Sequence, residues 1–392
     1  MLGWHETWNI HTRRLVMKKG LNIKFGIALL VSFAMVVLMG CTQNEFGEQE
    51  FSKFSFQVNV GQVDILFVVD TSGSMSEEQR KMAQAFDNFL QGLNIPGVDY
   101  RIGIITMDVE SRTNPPRDFG NGLRAEQNGN LLQFPDGSYY LTPNSNNIED
   151  QFWQTIRREE TLDCERNGFD TTVCPSDDER GIYSAFLTVN ANKKNFFREN
   201  GHVAFVFLTD EDVRGHGLSQ FQAPNYMPEA LDYPVNLIQA VRTNIGNNTT
   251  ISAHAIITDG AMCLNQQNAQ NGNAFIDGKI GTFYSTLTNP NNFSLADPDR
   301  RLGDYAGGNL VQGVVGSICA SNYTAEVGNI ASVITQTKSE EKFRCILDRE
   351  ESLDVRISDE YSWTLNENRD GVTFTPALPA GQSFVIEYEC YQ

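Results

Sequence analysis

Asp70, Ser72 and Ser74 stand at alternate positions in DTSGSM, directly after the apolar run VDILFVV. One carboxylate and two hydroxyls on a tight turn offer hard oxygen ligands at a spacing that suits a small divalent cation. Magnesium takes octahedral oxygen coordination at short range and keeps several waters, and manganese or calcium would draw on the same oxygens. A second group of acids, Asp210, Glu211 and Asp212, closes a second apolar run, HVAFVFL. Aspartate, serine and glycine are also ordinary turn and cap residues, so DTSGSM alone describes the cap of a following helix equally well. For Asp212 a solvated loop is the plainer expectation.

The elements that must position these oxygens are read from periodicity. DILFVV, 64–69, is continuously apolar, as a strand buried on both faces is. SEEQRKMAQAFDNFLQGL follows as a helix, with Met82, Phe86 and Phe89 at helical spacing and acids in its first turn. YRIGIITMD, 100–108, is a second strand, and residues 109–147, rich in Asn, Gly, Pro and Asp, form a long surface insertion. A helix over 148–159, a Cys164 to Cys174 loop and a helix in DDERGIYSAFLTVN come next. HVAFVFL and TTISAHAII are strands, separated by PVNLIQAVRTNI, a helix opened by proline. Residues 259–310 read as another loop excursion, NLVQGVVGSIC as the last strand of the sheet and ASNYTAEVGNIASVITQ as a closing helix. The alternation predicts an α/β fold over 61–337, a doubly wound, mainly parallel sheet with helices on both faces. Such sheets bind ligands at the carboxyl ends of their strands, where both acid groups lie. From 338 to 392 the pattern turns to period two: Phe343, Cys345 and Leu347 share one face, as do Phe384, Ile386, Tyr388 and Cys390. With LDVRI and GVTFTP between them, this tail is expected to be a small antiparallel β module.

With DTSGSM as a DxSxS motif and VFLTDED as the later strand with its aspartate, residues 61–337 resemble the von Willebrand factor type A family. The resemblance implies a metal-ion-dependent adhesion site in which two serines bind the metal directly and aspartates act largely through water. Matched by motif position, its residues here are Asp70, Ser72, Ser74 and Asp210. It further implies an open coordination position filled by a carboxylate of a protein partner. A cation held mainly by hydroxyls and water keeps unbalanced positive charge, which a partner Glu or Asp neutralises. The family usually adds a threonine from the loop before a middle helix, and the corresponding SDDERGIYSAF has none. Glu179 is the nearest oxygen ligand there, with Thr171 and Thr172 further upstream; as a ligand it would lower the appetite for an acidic partner.

The formal charge of -19 over 392 residues excludes a nucleic-acid partner held by phosphate contacts and favours attraction of cations. Residues 1–40 read as an address. Lys18, Lys19 and Lys24 precede GIALLVSFAMVVLMG, Cys41 follows, and Met17 is the better start. A membrane-spanning anchor is the competing reading, but LMGC resembles the bacterial lipoprotein signal. That implies cleavage before Cys41, lipid on Cys41 as the membrane tether, and, with Thr42 next, an outer-membrane destination in the bacterial envelope. Residues 41–60 are then a lipidated N-terminus and tether. Six further cysteines, Cys164, Cys174, Cys263, Cys319, Cys345 and Cys390, suit an exported protein with three disulfides. Six cysteines allow 15 connectivities, and the preferred pairing is 164 with 174, 263 with 319 and 345 with 390.

Enzyme chemistry finds little support. A haloacid-dehalogenase-type phosphatase would need a second acid where Ser72 stands, and neither a GxSxG elbow nor a P-loop is present. His202 and His254 adjoin apolar strands, and His216 has no clear partner. The expected function is therefore not enzymatic: a lipid-anchored envelope protein that binds a protein partner through a divalent cation. A structural or assembly lipoprotein with a degenerate metal site is the alternative, and a metal-dependent hydrolase the less favoured third.

Overall fold

Val63, Ile65, Phe67 and Val69 face one apolar layer, while Leu66 and Val68 face another. A strand that feeds two cores must lie inside a sheet covered on both sides. The computed structural model describes residues 51–392 except 60, 110–127, 169, 171–173, 175–178, 214–229, 271–279, 295, 336–337, 344, 348–351, 379–381 and 392. The signal, Cys41, Thr171, Thr172 and His216 lie outside the described residues.

In chain order, β1 (Phe51–Asn59) and β2 (Gln62–Val69) lead into α1 (Ser76–Leu93) and β3 (Asp99–Thr106). Helices α2 (Ile148–Ile156), α3 (Glu159–Arg166) and α4 (Gly181–Ala191) precede β4 (His202–Leu208). Then come α5 (Pro234–Asn244), β5 (Thr250–Ile257), α6 (Ala261–Gln270), α7 (Thr282–Leu287) and α8 (Leu302–Tyr305). Two short strands, β6 (Leu310–Val311) and β7 (Val315–Ser317), and α9 (Thr324–Ile334) finish the α/β body. Its strands run in the order β3-β2-β4-β5-β6, with β7 also on β5, and all of these pairs are parallel. Strand order reverses at β2: the chain passes to β3 on one side and later returns to β4 on the other. The switch point thus lies where the carboxyl ends of β2 and β4 adjoin.

Helices cover both faces. Phe86 and Phe89 of α1, Phe152 of α2 and Val327 and Ile330 of α9 pack on one side of β2. Ile182 and Val189 of α4, Leu237 and Val241 of α5 and Tyr284 of α7 pack on the other. At the amino end of β2, buried Asp64 accepts from Arg198 Nε at 2.8 Å and from its backbone N–H at 2.6 Å. That ion pair closes the sheet opposite the DTSGSM turn.

The structure departs from the sequence reading in several places. The helix expected over 148–159 is two, and Cys164 lies on α3 rather than in a loop. Residues 259–310 hold α6, α7 and α8 instead of a continuous loop. NLVQGVVGSIC is interrupted, because His254 Nδ1 accepts the Val314 N–H at 3.2 Å in place of a backbone acceptor. At the interruption Gly313 passes so close to β5 that a Cβ would collide with the Ala253 carbonyl. The largest departure concerns the tether: its last part, 51–59, is β1, paired antiparallel with the final strand along its whole length.

The remaining strands are β8 (Lys338–Lys342), β9 (Leu353–Arg356), β10 (Ser362–Leu365), β11 (Gly371–Leu378) and β12 (Ser383–Tyr391). They form two antiparallel sheets, ordered β1-β12-β9 and β10-β11-β8, around one apolar core. Phe343 stacks on Tyr388 and Phe374 meets Phe384 edge-on within it. Phe343 and Leu347 are buried there but lie beyond β8, donating backbone N–H groups to Asp370 and Arg369 carbonyls at the end of the β10–β11 hairpin. Phe384, Ile386 and Tyr388 share the buried face of β12, as their spacing predicts.

Candidate metal site at the carboxyl edge of the sheet

Strand β2 stays zipped to β4 until Asp70, whose N–H donates to the Leu208 carbonyl at 3.0 Å. The chain then turns out of the sheet. Asp70 is buried, and both its oxygens are engaged: the Ser72 N–H donates to Oδ1 at 2.8 Å and the Thr209 hydroxyl to Oδ2 at 2.7 Å. Ser72 Oγ and Ser74 Oγ lie 2.9 Å apart. From the end of β4, buried Asp210 comes near the Ser74 side chain, and its Oδ1 is buried without a hydrogen-bond partner. Glu179 enters from the segment before α4, bridged to Asp108 just past β3, and its buried side chain comes near the Asp70 carboxyl group. The structure therefore brings Asp70, Ser72, Ser74, Asp210 and Glu179 to one place, at the switch point of the sheet.

Buried carboxyl groups brought near one another carry an electrostatic penalty. Burial pushes the Asp70 carboxyl above its ordinary range, and the donors Ser72 and Thr209 pull it back only in part. Asp210 is pushed well above, first by burial, then by the charges of Asp70, Glu211 and Glu78. Two such groups need either a shared proton or a cation to offset the repulsion. Among the described residues no three His, Cys, Asp or Glu side chains are grouped as ready ligands. A cation held here would thus take the Ser72 and Ser74 hydroxyls together with carboxylate oxygens, and hard oxygens of this kind suit magnesium.

A further set of residues, not singled out by the sequence reading, fixes the backbone around these ligands. The Thr258 hydroxyl donates to the Asp210 carbonyl at 2.9 Å. The Gln79 side-chain amide donates to the Asp70 carbonyl at 2.9 Å and to Thr161 Oγ1 at 3.0 Å, and the Thr161 hydroxyl donates to the Thr71 carbonyl at 2.8 Å. One sequence signal could have found Gln79: it occupies the apolar stripe of α1, a turn before Met82 and two before Phe86. Asp212 is half of a different arrangement. It is buried, not solvated, and accepts the N–H groups of Thr282 and Phe283 at 2.9 and 3.1 Å, capping α7.

Disulfides join Cys164 to Cys174 and Cys263 to Cys319. Cys345 is disulfide-bonded as well, and the side chain of Cys390, its expected partner, lies outside the described residues. Of the histidines, His202 and His254 both contact Ser252 Oγ, at 2.8 and 2.9 Å, within strands β4 and β5.

The molecule is thus an α/β protein with an oxygen-rich cluster at the switch point of a parallel sheet. No family model matches the chain, and no curated protein matches its sequence. Solved structures do. The pilus adhesin SpaC from Lactobacillus rhamnosus GG, in its open conformation, aligns at 13% identity over 86% of this chain and 40% of its own, with a TM-score of 0.28. The human COPII-coat protein Sec24c aligns at 9% identity over 92% of this chain and 48% of its own, TM-score 0.37. The type V pili tip protein Mfa5 from Porphyromonas gingivalis aligns at 10% identity over 87% of this chain and 68% of its own, TM-score 0.30. The chain spans less than half the length of the SpaC and Sec24c chains.

Proposed function

We propose that this is a lipid-anchored bacterial envelope protein whose α/β body, akin to the von Willebrand factor type A family, binds a protein partner through a divalent cation. The ligands are the Ser72 and Ser74 hydroxyls, with Asp70, Asp210 and Glu179 acting directly or through water. The observation that carries the reading is the buried Asp210 Oδ1, which has no hydrogen-bond partner, together with the paired Ser72 and Ser74 hydroxyls. Leaving a buried carboxylate oxygen unpaired costs about 1–3 kcal/mol or more, and a hard cation at that point would remove the cost. A bound magnesium would supply positive charge that a partner's carboxylate can neutralise. The chain's own contribution is to hold the hydroxyls 2.9 Å apart and to keep the carboxylates from solvent. Disulfides suit an oxidising compartment outside the cytoplasm, and Cys41 would carry the lipid.

Thermal unfolding with and without magnesium or manganese tests the cation. At a hundredfold excess over the dissociation constant the gain is about 2.7 kcal/mol. That gain should be abolished in Asp70→Ala, and no shift with any divalent ion overturns the site. In the same preparation, wild-type protein should partition into detergent and Cys41→Ser should not. The burial of Glu179 near Asp70 favours a second reading, in which the Glu179 carboxylate helps neutralise the cation and leaves it structural. Partner capture that persists in chelator, alongside a normal magnesium shift, would decide for that reading.

A further inference from the structure

Gln79 is buried, yet every polar atom of its side chain is used. Its Oε1 accepts the Arg158 N–H at 2.9 Å, and its Nε2 serves both the Asp70 carbonyl and Thr161 Oγ1. Thr161 Oγ1 gives its own hydrogen to the Thr71 carbonyl, so toward Gln79 it acts only as an acceptor. The polarity of the network has one solution: amide nitrogen toward the turn, amide oxygen toward Arg158. This small cluster joins the first residues of the DTSGSM turn and α1, which follows it directly, to the start of α3 more than eighty residues away. Helix α3 is itself stapled through Cys164 to Cys174, five residues before Glu179.

We infer that Gln79 and Thr161 are positioning residues of the site, a latch that sets the spacing of Asp70, Ser72 and Ser74 by holding the Asp70 and Thr71 carbonyls to α3. The inference rests on the cation site proposed above. Past Asp70 the turn leaves the sheet ladder, and the latch takes over the work of backbone alignment. Without it, Asp70 and the two serines would sample a range of separations, and a small cation that demands near-ideal geometry would lose affinity. Partners that orient metal ligands from behind are typically worth 10–100-fold in affinity.

The test is magnesium titration by calorimetry on the full disulfide-bonded chain, with hydrogen exchange of residues 70–76 measured on the metal-free protein. Gln79→Met keeps the volume and removes all three hydrogen bonds. It should weaken magnesium binding about 10–100-fold and accelerate exchange in the turn. Thr161→Val should do the same more mildly, whereas Thr161→Ser, which retains the hydroxyl, should bind as wild type does. Val241→Ala, on the opposite face of the sheet, destabilises the fold and should leave both readouts unchanged. If Gln79→Met fails to fold, the Thr161 pair carries the comparison. Wild-type binding and exchange in both Gln79→Met and Thr161→Val would overturn the latch while leaving the cation site standing. A wild-type chain that binds no divalent ion would remove the site and the latch with it.

Discussion

A histidine inside a parallel sheet keeps its place by staying neutral. His254 accepts the Val314 N–H at Nδ1, so its proton is on Nε2, facing Ser252 Oγ at 2.9 Å. Burial, with a smaller contribution from His202, lowers its pKa from 6.5 to about 3. The folded pKa is depressed, so the unfolded chain takes up the proton first as pH falls. The stability held above pH 6.5 is therefore lost progressively down to about pH 3, where the folded state protonates too. By pH 5 the loss is about 2 kcal/mol. The buried acids Asp70 and Asp210 push the opposite way, since their raised pKa values make the metal-free fold prefer low pH. Comparison with His254→Asn separates the two: the variant keeps an acceptor for Val314 but has no titrating ring. Denaturant midpoints at pH 7 and pH 5 should show an acid loss in wild type larger by about 2 kcal/mol than in the variant, and equal losses would assign the acid sensitivity elsewhere.

At the scale of elements, β1 is the one the chain conceals. Phe54, Phe56 and Val58 fall at every second position in FSKFSFQVN, but the interleaved serines, lysine and glutamine make the stretch resemble a tether. Its partner, β12, lies more than three hundred residues away, and local periodicity carries no mark of so distant a pairing. The reverse holds for β2 and β4. Their continuous apolar runs announce burial on both faces, and the acids that follow announce the carboxyl edge, so the core of the fold and the place of the oxygen-rich cluster were legible together. Glu179 was legible only as the nearest oxygen to a missing threonine; its place near Asp70 depends on the chain past β3 and the segment before α4 meeting in space. The module built on β1 makes its own prediction. Phe54 stacks on Tyr388 with centroids 5.1 Å apart, beside a Ser55 to Glu387 hydrogen bond of 2.9 Å. Phe54→Ala should destabilise the β module by about 2 kcal/mol. Limited proteolysis should then cut first within 338–392; initial cleavage in the α/β body would mean that β1 contributes little to holding the tail.

For the whole molecule, the cysteines tie the fold to its compartment. Cys263 lies in the first turn of α6, just past Thr258, which holds the Asp210 carbonyl, and reaches Cys319 across 56 residues of chain that include α7, α8, β6 and β7. Cys164 lies one turn beyond Thr161 and closes a loop only 10 residues long. Closing the longer loop removes more freedom from the unfolded chain, about 4 kcal/mol on the chain-entropy model against about 3 for the shorter. One staple lies a turn beyond Thr161, which holds the Thr71 carbonyl, and the other a few residues past Thr258, which holds the Asp210 carbonyl, so their effects on fold and site should separate. Cys263→Ser with Cys319→Ser should lower unfolding stability by up to about 4 kcal/mol and shift the denaturant midpoint accordingly. Cys164→Ser with Cys174→Ser should cost less stability yet increase hydrogen exchange around Thr161 and the DTSGSM turn, because α3 loses its covalent hold. An equal stability loss from both pairs, with no local change in exchange, would show that the bridges act only on the unfolded chain.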